Sequence, residues 1–82
     1  MAAFPWHVVS VRALDGYQLD LVFADGTRGV YDMSPYLGEG VYARLRNAGL
    51  FRCAHVEYDT VVWPGNIDIA PETLYEGCAP TA

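Results

Sequence analysis

The chain has 82 residues, with ten Asp plus Glu against five Arg and no Lys, and a formal net charge of −5. At 52% hydrophobic and 18% charged it is too apolar for a disordered segment, and it is too short for two cores. No apolar run approaches the ~20 residues of a membrane helix, and the first seven residues lack the basic stretch and apolar block of a signal peptide, so the sequence reads as cytoplasmic.

The first predicted element is a strand from Trp6 to Leu14, with Val9, Val11 and Ala13 on one side and Ser10 and Arg12 on the other. Asp15-Gly16 predicts a tight hairpin turn, because both residues tolerate positive φ. Tyr17, Leu19, Leu21 and Phe23 then alternate with Gln18, Asp20 and Val22, the pattern of a half-buried strand. A turn at Ala24-Asp25-Gly26 leads into a third strand over Thr27 to Met33, which completes a three-stranded antiparallel meander.

Ser34-Pro35 reads as the capped start of a short helix that ends near Gly38. A second helix is predicted from Val41 to Ala48, with Val41, Leu45 and Ala48 on its apolar stripe and Gly49 as its left-handed terminator. Cys53 to Tyr58, a turn at Asp59-Thr60 and Val61 to Trp63 form a second hairpin. Pro64-Gly65-Asn66 ends that strand, Ile67 and Ile69 form a short extended piece, and Pro71 opens a last helical turn closed by Gly77. The tail from Cys78 to Ala82 is expected to fray. The fold class is α+β in one small domain: a meander, short helices, a second hairpin and a C-terminal helical turn.

The order of segments resembles the family known as domain of unknown function 2442. The resemblance rests on Tyr17-x-Leu19-x-Leu21-x-Phe23-x-Asp25-Gly26, on Tyr31-Asp32-Met33-Ser34-Pro35-Tyr36-Leu37, and on Leu45, Phe51 and Val56. Its most specific part is the run from Val62-Trp63-Pro64-Gly65-Asn66 through Asp68 and Pro71-Glu72 to Leu74-Tyr75. The resemblance implies a compact α+β domain and carries over no catalytic residue. It also implies an antitoxin-like role, since some similar proteins neighbour small toxin-like partners. Others carry a helix-turn-helix domain after this one or a molybdopterin-biosynthesis label, which nothing in these residues supports.

Reactive constellations are sparse. Without lysine there is no Walker-type phosphate loop, Schiff base or Ser-Lys pair. Ser10 and Ser34 lack a nucleophile elbow, and the eight glycines form no Gly-x-Gly-x-x-Gly. Cys53 and His55 share a strand face, and His7 and Cys78 would have to complete any zinc site, but the paired spacing of structural zinc is missing. Without an export signal both cysteines read as reduced thiols, and no metal or cofactor is expected. Asp32 and Asp68 each close a strand before a Pro-initiated turn, where a carboxylate can hold free amides. With His55 they are also the residues a small-molecule or catalytic site would use.

The charges divide unevenly. Residues 1–52 balance five acids against five arginines, whereas residues 53–82 hold Glu57, Asp59, Asp68, Glu72 and Glu76 with no Arg or Lys. An acidic segment attracts basic partners and disfavours direct nucleic-acid binding. The sequence therefore points to a non-enzymatic protein-binding module, expected as a homodimer that covers an open sheet edge. Its partner-binding residues are Glu57, Asp59, Trp63, Asn66 and Asp68, with Trp63 as the aromatic anchor. Its partner is a basic protein, toxin-like or nucleic-acid-handling, whose nucleic-acid groove the acids could mask.

Overall fold

The computed structural model describes residues 4–38 and 40–80. It is α+β, with two antiparallel sheets and short helices. The first sheet has strand order β1-β2-β3-β7: β1 Val8–Leu14, β2 Gln18–Phe23, β3 Arg28–Asp32 and, at the far end of the chain, β7 Ala79–Pro80. The second contains β4 His55–Glu57, β5 Thr60–Trp63 and β6 Ile67–Ile69 in sequence order. Between the sheets in sequence lie 3₁₀ turns at Ser34–Tyr36 and Gly40–Arg46 and the short helix α1 Ala48–Phe51; helix α2 spans Pro71–Gly77. No described helix is long and apolar enough to cross a membrane.

The core lies between the sheets. Leu19, Leu21 and Phe23 point inward from β2, because alternate strand residues share a face. Val61 and Trp63 from β5 and Ile67 and Ile69 from β6 meet them, with Met33, Leu45, Phe51 and Leu74 filling the ends. The two sheets are tied at one corner, where the Val8 amide donates to the Asp59 carbonyl at 2.9 Å; beside it the Ala24 amide donates to the His7 carbonyl at 2.8 Å and extends the pairing of β1 with β2.

Several local expectations change. The meander is one part of a four-stranded sheet, because Gly29 and Val30 pair with Pro80 and Ala79. The chain through Pro80 is therefore docked; the last two residues of the expected frayed tail lie outside the described residues. In β1 a bulge between Val8 and Ser10 shifts the register, so Val8 is buried and Val9 is exposed. In the first hairpin the left-handed positions are Gly16 (φ 78°) and Tyr17 (φ 62°), not Asp15.

The predicted helix over Val41 to Ala48 is a 3₁₀ segment that stops at Arg46. Asn47 then leaves the helical region and accepts the Leu50 amide at 3.1 Å, which starts α1. Gly49 lies inside α1 and keeps negative φ, and Val41 is exposed. Before the first 3₁₀ turn, Asp32 rather than Ser34 supplies the acceptor: its carboxylate takes the Ser34 amide at 2.9 Å and hydroxyl at 2.7 Å.

Candidate functional site

The β4–β5 hairpin sets Glu57 opposite Thr60, which leaves Tyr58 and Asp59 as a two-residue turn. Both take positive φ, 52° and 62°, the geometry that matches the twist of paired strands. Asn, Asp and Gly fit such positions; a bulky aromatic fits them poorly. Tyr58 nevertheless occupies the first of them, and the residue is 91% exposed.

Tyr17 shows what a structural reason for such a residue looks like. It too has positive φ, but its ring meets Phe51 edge-on at 5.3 Å and its hydroxyl donates to the Arg46 carbonyl. Among the described residues Tyr58 has no ring partner and no side-chain hydrogen bond. Its conformation and exposure are costs that the fold does not offset.

The surroundings of Tyr58 are aromatic and acidic. The neighbouring Asp59 carboxylate lies 3.6 Å from His7 Nδ1. The His7 ring packs edge-on against Trp6 at 4.7 Å and Phe4 at 5.4 Å, and Phe4 stacks flat on Trp6 at 4.9 Å. Phe4 is 59% exposed. On the other side, Glu57 Oε2 is 2.7 Å from His55 Nε2, and His55 Nδ1 is 2.9 Å from the Cys53 carbonyl oxygen. Each ring nitrogen of His55 faces an acceptor, so the imidazolium is the form that satisfies both. The Cys53 carbonyl, and then Glu57, hold the His55 pKa above its ordinary value. Both histidines of the chain thus sit against the two carboxylates that flank Tyr58.

The remaining expected site residues divide. His55, Val62 and Asp68 form one cross-strand row on the outer face of the second sheet, with Glu57 two residues along on the same face. Asp68 is exposed, and its backbone carbonyl accepts the Tyr42 hydroxyl at 2.7 Å. Its carboxylate does not cap α2, whose first amides follow Ala70. Asn66 lies at the opposite end of β5 from Asp59, in a turn where it and Gly65 take positive φ of 62° and 91°. Arg44 donates to the Gly65 carbonyl at 3.4 Å there, so a base does reach the acidic third of the chain.

Trp63 is not a surface anchor. It is 1% exposed, because β5 is the central strand of its sheet and Trp63 alternates inward with Val61. Its indole nitrogen donates to the Phe51 carbonyl at 3.0 Å. The exposed rings are instead Tyr58 and Phe4, and the signal for Tyr58 was the four-residue stretch Glu57-Tyr58-Asp59-Thr60 between two β-patterned runs.

Asp32, Asp68 and His55 do not share a cavity. Asp32 ends β3 of the other sheet with its carboxylate held by Ser34, which keeps its pKa below the ordinary carboxylate value. A shallow cleft beside α1, lined by Leu14, Tyr17, Phe51 and Arg52 among others, contains none of the three. Cys53 and Cys78 are free thiols, the first exposed and the second half-buried. Among the described residues no three His, Cys, Asp or Glu side chains gather as a metal site would require.

No curated protein and no solved structure matches the chain. Residues 8–80 match the model of the family described as protein of unknown function (DUF2442). That span includes both sheets, both helices and the Tyr58 turn, and the chain belongs to the DUF2442 family.

Proposed function

We propose that the protein is a non-enzymatic binding module that docks a basic protein on the corner formed by the Tyr58 turn and the Phe4–Trp6 stack. The observation that carries this reading is Tyr58 itself. A large aromatic held in a strained backbone conformation, 91% exposed and without a ring partner or side-chain hydrogen bond among the described residues, is best accounted for by a contact outside the fold. Tyrosine and tryptophan are the residues that most often anchor interfaces, since they cover much area at small entropic cost. Glu57 and Asp59 on either side favour a cationic partner and steer its approach. An antitoxin-like role, implied by the resemblance of the sequence, fits a partner of that charge.

The test compares the wild-type chain with Tyr58→Asn, a variant suited to positive φ, in affinity capture from the native host. A partner that is retained by the wild type, lost with the variant and released by moderate salt supports the reading. Equal capture by both proteins overturns it.

A further inference from the structure

We infer that this docking corner takes an arginine-bearing segment of the partner, and that His55 is the corner's own proton-dependent occupant of Glu57, one of the two carboxylates the guanidinium groups would engage. The inference rests on the docking reading above and adds to it the side chain recognised and its control. The exposed faces of Tyr58 and Phe4 favour arginine over lysine, because a planar, weakly hydrated guanidinium stacks on rings and forks onto a carboxylate. The two carboxylates flank Tyr58 in the chain, but in the free protein each already faces an imidazole, Glu57 at 2.7 Å and Asp59 at 3.6 Å. A protonated histidine competes with the incoming cation, and a neutral one releases the carboxylate to it.

Across from β4, Thr60 and Val62 of β5 do not titrate, and Asp68 stands about two strand spacings, ~10 Å, from His55 in the same row. On β1, which packs against β4, Arg12 is engaged by Asp20 at 3.3 Å. Beside His7, the β2–β3 turn carries Asp25, whose carboxylate is held by the Tyr75 hydroxyl and the Thr27 amide.

The sign follows from the geometry. At pH 5.5, below its raised pKa, His55 is cationic and offsets Glu57. Above the His55 pKa, which is raised from 6.5, Glu57 stands uncompensated. Affinity for a cationic segment therefore rises with pH, whereas loss of the partner's charge would lower it.

The experiment titrates an arginine-rich dodecapeptide, and its lysine counterpart, into the full chain at pH 5.5 and 8.5. Binding of the arginine peptide should tighten about two- to fivefold at the higher pH, the effect of one exposed ion pair. The double variant His7→Gln, His55→Gln should bind with little pH dependence. Separately, Glu57→Gln should lower the His55 titration midpoint followed by NMR without peptide. An undiminished pH response in the double variant, an unmoved His55 midpoint, or equal binding of the lysine peptide overturns the inference. Binding that depends on Tyr58 but not on pH overturns the histidine control and leaves the docking reading standing. Absence of binding at both pH values, or binding indifferent to Tyr58→Asn, removes the docking reading itself.

Discussion

The indole nitrogen of Trp63 donates to the backbone carbonyl of Phe51, joining the central strand of the second sheet to the end of α1. The two rings lie 6.0 Å apart, and Tyr17 from the first hairpin meets the Phe51 ring edge-on at 5.3 Å. Three segments distant in sequence thus share one aromatic contact. Trp63→Phe removes the donor and leaves space beside Phe51, although the Ala54 amide still reaches the same carbonyl at 3.2 Å. We expect a loss of about 2 kcal/mol in urea denaturation, from one hydrogen bond and a partly refilled cavity. Peptide affinity should be unchanged, since Trp63 lies inside the core; a loss of affinity matching that of Tyr58→Asn would contradict the assignment of the anchor.

The docking of β7 depends on a missing side chain. A Cβ built on Gly29 would lie 2.6 Å from Cys78 Sγ and 3.0 Å from the Ala79 carbonyl oxygen. Gly29→Ala should push the last strand off β3 and cost about 1–3 kcal/mol, the usual range for overpacking. Amide exchange at Ala79 should accelerate in the variant. Adding Cys78→Ala removes the nearest atom but not the backbone contact, so stability should be recovered only in part. Full recovery would mean that the sulfur alone sets the fit.

The sequence was informative where a strand has one wet and one dry face. Leu19, Leu21 and Phe23 alternate without interruption, and their central strand turns all three inward. It was ambiguous in β1, because Val8 and Val9 are both valine and either could be core; only the bulge decides. Val41 and Leu45 have the spacing of an α-helix, but Asn47 offers the backbone a competing cap, and the segment before it is 3₁₀. The docking corner was half legible. Glu57 and Asp59 stood out by charge, but whether the turn falls on Tyr58-Asp59 or Asp59-Thr60 depends on the pairing of Glu57 with Thr60, a non-local fact. The histidines on those acids come from residues 7 and 55, brought to one hairpin by the tie between Val8 and Asp59.

Two exposed carboxylates hold turns of the first sheet and should make stability fall in acid. Asp32 accepts from Ser34, and Asp25 accepts from the Tyr75 hydroxyl at 2.6 Å and the Thr27 amide at 2.8 Å. Both pKa values are lowered from 3.8 by these bonds. A depressed folded-state pKa gives stability that is present above 3.8 and is lost as pH falls through the folded value. The melting temperature should therefore drop more steeply below about pH 4 in the wild type than in Asp25→Asn, Asp32→Asn. Superimposable melting curves from pH 2.5 to 6 in the two proteins would assign the acid response to other groups.

Stability and binding should move in opposite directions at residue 58. Asparagine tolerates the left-handed region that costs a bulky L-residue about 1 kcal/mol, and it removes a ring that is almost fully exposed. Tyr58→Asn is thus expected to raise unfolding free energy by on the order of 0.5–1 kcal/mol while weakening peptide binding. The same substitution at residue 17 supplies the control. There the ring packs on Phe51 and the hydroxyl donates to the Arg46 carbonyl, so Tyr17→Asn should destabilise despite the same backbone relief. Denaturation of both variants separates the cases. If Tyr58→Asn destabilised as Tyr17→Asn does, the Tyr58 ring would have a structural role, and its exposure would no longer point to a partner.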